Sequence, residues 1–114
     1  MPMILQWNIH GLQANREELD LLSFNFDPTV ICLQETFLKE NKNTNFKYFF
    51  SYNRYASEVN GIVHGGSSVL VKPSTPHRQM KLPTGLQAIA IRATLGKTIT
   101  VCSISLNINV FFSS

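Results

Sequence analysis

Hydrophobic and polar positions divide the chain into short β-type runs, with one helical stretch between the first two. Residues 3–9 (Met-Ile-Leu-Gln-Trp-Asn-Ile) are rich in strand formers and stop at His10-Gly11, which predicts a first strand. Leu19, Leu22 and Phe26 then recur at spacings of three and four, the period of one helix face. Asn15 stands at the capping position, Glu17 and Glu18 oppose the positive helix terminus, and the helix is expected to end before Asp27-Pro28. Val30-Ile31-Cys32-Leu33 is apolar without alternation, as in a strand covered on both faces. The opening therefore reads as strand, helix and buried strand.

Further along, the aromatic stretch Phe46 to Tyr55 favours an extended conformation, and Asn60-Gly61 and Gly65-Gly66 mark turns. Residues 67–72 form the next expected strand, closed by Pro73 and Pro76 and followed by a basic loop to Gly85. Residues 86–95 alternate, Gly96-Lys97 turns the chain, and residues 98–105 alternate again, the strongest hairpin signal in the sequence. About six strands, a parallel opening and a closing hairpin predict a mixed β-sheet with a flanking helix, an α/β (α+β) fold. The apolar end, with Phe111-Phe112, suggests either a fold that continued in a longer parent or a segment that docks on the sheet.

Composition narrows this to one domain over residues 1–114. Of these 114 residues, 44% are hydrophobic and 15% charged, with a net charge of +3, which excludes a disordered chain. No apolar run reaches the roughly 18 residues of a membrane span, and no basic segment precedes a long apolar one, so an intracellular place, nuclear or cytoplasmic, is expected. Cys32 and Cys102 lie inside apolar runs and read as free thiols in a reducing compartment. Charge is uneven: residues 1–40 carry a net −4 and residues 41–114 a net +7, which suits a phosphate backbone or an ordinary solvated face.

Two polar residues fall at the ends of the first two strands, where open α/β sheets bind ligands: Asn8 and Glu35. If the strands pair in parallel, both emerge at one edge. A carboxylate beside an amide can there hold a hard cation such as Mg²⁺. As residue types alone, the two read first as a turn cap and a solvated strand end, since Asn and Glu are common there. The aromatics of residues 46–55 read first as core, and His10 as a turn residue.

The segments Trp7-Asn8-Ile9-His10-Gly11, Leu33-Gln34-Glu35-Thr36, Gly65-Gly66 with its strand, and Thr100-Val101-Cys102-Ser103-Ile104 occur in an order that resembles the endonuclease/exonuclease/phosphatase superfamily. The likeness is to the N-terminal part of the apurinic-type endonuclease domain of jockey-like non-LTR retrotransposons, and it runs from about Ile4 to Leu106. The resemblance implies metal-dependent hydrolysis of a DNA phosphodiester, with Glu35 as metal ligand and Asn8 beside the metal and the scissile phosphate. Mg²⁺, or Mn²⁺ in its place, is the implied cofactor, and Arg54 and Lys72 are candidate DNA contacts.

The sequence also departs from that family. Its tyrosine after Cys-Ser-Ile falls on Ser105, and its Pro-Pro on Asn107-Ile108. No aspartate follows Asp27 and no histidine follows His77, so the family's later Asp-x-Asn and its water-activating Asp-His pair have no counterpart. A truncated domain, inactive or barely active alone, is expected, since a missing general base costs about 10²–10⁴ in rate. It would make about half of a four-layer β-sandwich. Its strands would form one sheet, exposing Ala88, Ile89, Ala90, Ile91, Val101 and Ile104 and favouring self-association. The alternatives are a phosphatase of the same fold and a non-catalytic module that binds nucleic acid or protein.

Overall fold

The computed structural model of the chain describes residues 2–40, 44–83, 85 and 87–105. The opening is as expected. Strand β1 (Ile4–Asn8) leads into helix α1 (Arg16–Phe26) and then β2 (Val30–Gln34), which pairs in parallel with β1 so that Asn8 lies opposite Gln34. The chain continues through β3 (Phe50–Arg54), the β4 (Ser57–Val59) and β5 (Ile62–His64) hairpin, β6 (Ser67–Val71), β7 (His77–Met80), β8 (Gln87–Thr94) and β9 (Thr98–Ser105). Antiparallel pairing of β6 with both β2 and β3 completes a first sheet in the order β1-β2-β6-β3. A second sheet, β7-β8-β9, is antiparallel throughout.

The expectation of a single bare sheet needs correction. Apart from the β4–β5 hairpin, the strands divide between two sheets that face each other, and Val30, Cys32, Val69 and Val71 of the first pack on Ile89, Ile91, Ala93 and Val101 of the second. Ile89, Ile91 and Val101 are therefore covered, and Ala88 and Ala90 are buried as well. Of the six residues named as bare, Ile104 alone is exposed, at 40%. The opposite face of the first sheet presents Ile31, Leu33 and Leu70 to Leu19 of α1 and to Ile9, Leu12 and Leu38 of the flanking loops. With both faces covered, all residues of β2 and β6 are buried, as the apolar run Val30-Ile31-Cys32-Leu33 predicts for β2.

Three local expectations also change. Asn15 does not cap α1 with its side chain; Nδ2 donates instead to the carbonyls of Ile9 (2.8 Å) and Gly11 (3.1 Å) and ties down the loop before the helix. Of the apolar stripe, Leu19 is buried but Phe26 is half exposed, because the helix ends at Asp27 in a left-handed turn. Within the aromatic segment only Phe50–Arg54 is a strand. Phe46 and Phe49 fold back on the helix-side core, where the Arg16 guanidinium lies 4.4 Å from the Phe46 ring centre. The basic loop after Pro76 contains β7, a polar edge strand with no apolar alternation to reveal it. The chain end at residues 107–114 lies outside the described residues, and no described helix is long and apolar enough to cross a membrane.

Candidate functional site

The shared end of β1 and β2 is built from backbone outward. Beyond Asn8, the Ile9 N–H donates to the Gln34 carbonyl (3.0 Å), Gly11 N–H to Glu35 (2.8 Å) and Leu12 N–H to Thr36 (2.9 Å). From the other side, the Thr36 and Phe37 N–H groups donate to the Gly66 and Gly65 carbonyls (3.2 and 3.0 Å). Residues 34–37 are thus held between two loops. His10, Glu35 and Phe37 all adopt positive φ (51°, 51° and 57°), a conformation that non-glycine residues take at a cost of about 1–3 kcal/mol and that concentrates at functional sites. Gly66 (φ +90°) is required here, since a Cβ would lie 2.4 Å from the Thr36 hydroxyl.

Glu35 is fixed by three of its groups. Its N–H donates to the Ser105 hydroxyl (3.3 Å), its carbonyl accepts from Gly11, and its carboxylate Oε2 lies 3.1 Å from His10 Nδ1. The His10 ring is in turn set edge-on against Phe37. The carboxylate remains partly exposed, so it is oriented without being removed from solvent. Asn8, one residue beyond Trp7, is exposed and makes no side-chain hydrogen bond among the described residues.

A row of polar groups lies next to this pair. Gln6 Nε2 donates to Gln34 Oε1 (3.2 Å), Gln34 Nε2 to the Ser103 hydroxyl (2.9 Å), and that hydroxyl to the Leu33 carbonyl (2.8 Å). The chain of bonds stitches β1 to β2 and then to β9 across the two sheets. A groove of about 660 Å³ runs along it, with Gln6, Asn8, Gln34 and Glu35 on one wall and residues of β9, Thr100 and Cys102 among them, on the other.

The structure therefore brings Asn8 and Glu35 to one groove, although their side chains do not bond to each other. Arg54 ends β3 opposite Ser67, at the same end of the first sheet, and is exposed. Lys72 is at the other end, where its ammonium pairs with Asp27, beside a second cavity of about 570 Å³ between α1 and Phe46–Phe49. Gln34, Ser103 and Ser105 were not singled out as positioning groups from the sequence. The alternation of residues 98–105 was the signal for the two serines, since it sets Ser103 and Ser105 on the same face as buried Val101, and Gln34 stood inside the Leu-Gln-Glu-Thr segment.

Chemically, the groove offers a carboxylate and an amide, both hard oxygen donors of the kind that Mg²⁺ or Mn²⁺ accepts. No group of three or more His, Cys, Asp and Glu side chains placed to hold a metal occurs among the described residues. Such a pair binds a cation weakly unless substrate oxygens complete the shell.

The sequence matches no family model and no curated protein sequence. The fold, in contrast, is similar to the crystal structure of the Xenopus laevis APE2 catalytic domain, with a TM-score of 0.60 and 20% sequence identity over 89% of this chain. The match covers 44% of that structure, so the chain spans less than half its length. Two facing sheets, a parallel β1-β2 pair and one helix accordingly make up part of an endonuclease/exonuclease/phosphatase-type fold.

Proposed function

We propose that the chain carries the Asn8/Glu35 side of a metal-dependent DNA endonuclease site, of jockey-like retrotransposon origin, and that residues 1–114 alone do not nick DNA. The observation that carries the reading is the convergence of Asn8 and Glu35 on one groove, at the shared end of two parallel strands, in a fold similar to an endonuclease catalytic domain. Phosphatases with this fold share the Trp-Asn and Gln-Glu motifs, and the Thr-Val-Cys-Ser-Ile segment is what supports DNA over their substrates.

In this reading Glu35 is the anionic ligand and Asn8 the neutral one that orients a phosphate oxygen or water. Mg²⁺, or Mn²⁺, would supply charge stabilisation at the phosphate. Ser105 and His10 fix the Glu35 backbone and carboxylate, and exposed Arg54 is placed to meet the nucleic-acid backbone at the same end of the sheet. The two aspartates, Asp20 and Asp27, pair with Arg16 and Lys72 and not with a histidine that could activate water, which is why the chain alone is expected to be inactive. The basic excess of residues 41–114 favours a second reading, a non-catalytic nucleic-acid-binding module.

Mn²⁺ binding followed by electron paramagnetic resonance, beside plasmid nicking with Mg²⁺, tests the proposal. Weak Mn²⁺ binding lost on Glu35→Ala and reduced on Asn8→Ala, with nicking at background, is the expected result. Mn²⁺ binding unchanged by Glu35→Ala overturns the site, and salt-sensitive DNA binding in that variant then favours the module. Nicking abolished by Glu35→Ala keeps the site and overturns the inactivity.

A further inference from the structure

We propose that the open edge of β9 is a self-association surface, where two copies of this chain pair their β9 strands antiparallel about a twofold axis at Cys102. The strand has eight residues and pairs with β8 on one side; among the described residues no strand pairs with its other side. Along such an edge alternate backbone N–H and C=O groups face outward and need water or a partner.

Natural sheets protect long edges with charge, proline, a bulge or shortness. β9 has none of these. Its sequence Thr-Ile-Thr-Val-Cys-Ser-Ile-Ser contains no charged residue, proline or glycine, and its register against β8 runs one to one from Thr98 to Ser105. The other edges of these two sheets are shorter: β7 has four residues and includes Arg78, β3 has five and ends in Arg54, and β1, though uncharged, has only five. Exposed Ile104 on β9 and Ile4 on nearby β1 add apolar surface beside the open edge.

A second copy is the occupant because the strand is complementary to itself. A neutral strand brings no like charges into opposition when it meets its own copy, which a charged edge would do. Antiparallel pairing about an axis normal to the sheet keeps each face on its own side, so inward residues meet inward ones. Centred on Cys102, the pairing sets Val101 opposite the partner's Ser103 and Ile99 opposite the partner's Ser105, a large residue against a small one on the crowded inner side. On the outer face Ile104 meets the partner's Thr100, and the two Cys102 side chains meet each other. The exposed thiol thus becomes a reporter, while Cys32 is buried between the sheets.

The test measures molar mass by light scattering over a concentration series, with diamide oxidation in parallel. Diamide takes two protons and two electrons from two thiols that lie together. The expected results are a concentration-dependent dimer, a disulfide-linked dimer that survives Cys32→Ala and vanishes in Cys102→Ser, and a monomer for Cys102→Lys, which places two ammonium groups in opposition. Circular dichroism checks that Cys102→Lys folds; if it does not, the cross-linking pair decides. A monomer at every concentration overturns the proposal. So does an oligomer that Cys102→Lys leaves intact, which would point to the exposed Phe24 side of α1.

Discussion

The two sheets use the same residue types to different ends. In the first, β2 and β6 bury every residue, because α1 and its loops cover one face and the second sheet covers the other. In the second, β9 buries Val101, Ser103 and Ser105 and exposes Thr100, Cys102 and Ile104 between them. The difference teaches where chemistry has room. Doubly covered strands leave room for polar chemistry at their ends, where Glu35 emerges after β2 beside Asn8 of the edge strand β1; the singly covered sheet lends its inward serines, Ser105 to the Glu35 N–H and Ser103 to Gln34.

The largest expected effect tests that contrast directly. Leu70→Ala, in β6 at 0% exposure against Ile31 and Leu33, should cost about 2–5 kcal/mol, enough to unfold much of a marginal domain. Ile104→Ala, on the bare face of β9, should cost under about 1 kcal/mol. Urea denaturation at matched slopes measures both. Equal losses would mean that Ile104 is covered in solution, and an Ile104 cost that rises with protein concentration would locate the cover in a second copy.

The next effect concerns the stitch between the sheets. Ser103→Ala removes the hydroxyl that accepts from Gln34 Nε2 and donates to the Leu33 carbonyl, both buried, so about 1–3 kcal/mol should be lost. Cys102→Ala, its outward neighbour, should change stability by under about 0.5 kcal/mol. A Ser103→Ala variant as stable as the parent would show that water replaces the hydroxyl.

The sequence disclosed these contrasts unevenly. The apolar run at 30–33 identified one doubly covered strand and alternation through 86–105 identified the hairpin, because burial imprints its own period on a strand; residues 67–71 read only as a strand, since Ser67-Ser68 hide that both faces are covered. Polar β7 carried no such imprint, and the aromatics at 46–49 serve a loop packed on a helix, where ring size rather than backbone preference decides their place. Nor could alternation within one sheet reveal that a second sheet faces it; that depends on long-range packing, here of Val30, Val69 and Ile91. At the site, Asn8 and Glu35 stood out because strand ends are legible. Their supports were not: His10 reaches Glu35 through a left-handed loop, and Ser105 reaches it from a strand 70 residues away in sequence.

The smallest effect at neutral pH separates the two cysteines. Burial, and secondarily the neighbouring Cys102, pushes the Cys32 thiol from 9.0 up to about 11, whereas Cys102 is exposed on β9. Only the thiolate attacks a disulfide reagent, so one thiol per native chain should react promptly near pH 8 and the second only on opening. The folded chain also holds the Cys32 proton more tightly than the unfolded chain does. Its share of stability is therefore complete below about pH 9 and is lost as pH rises through about 11, with no slope near pH 7. Cys32→Ala should flatten the alkaline decline measured by urea titration, and Cys102→Ala should leave it in place. Two thiols that react at equal rates in the native chain would mean that reagent enters between the sheets, and β2 would then be no better covered than β9.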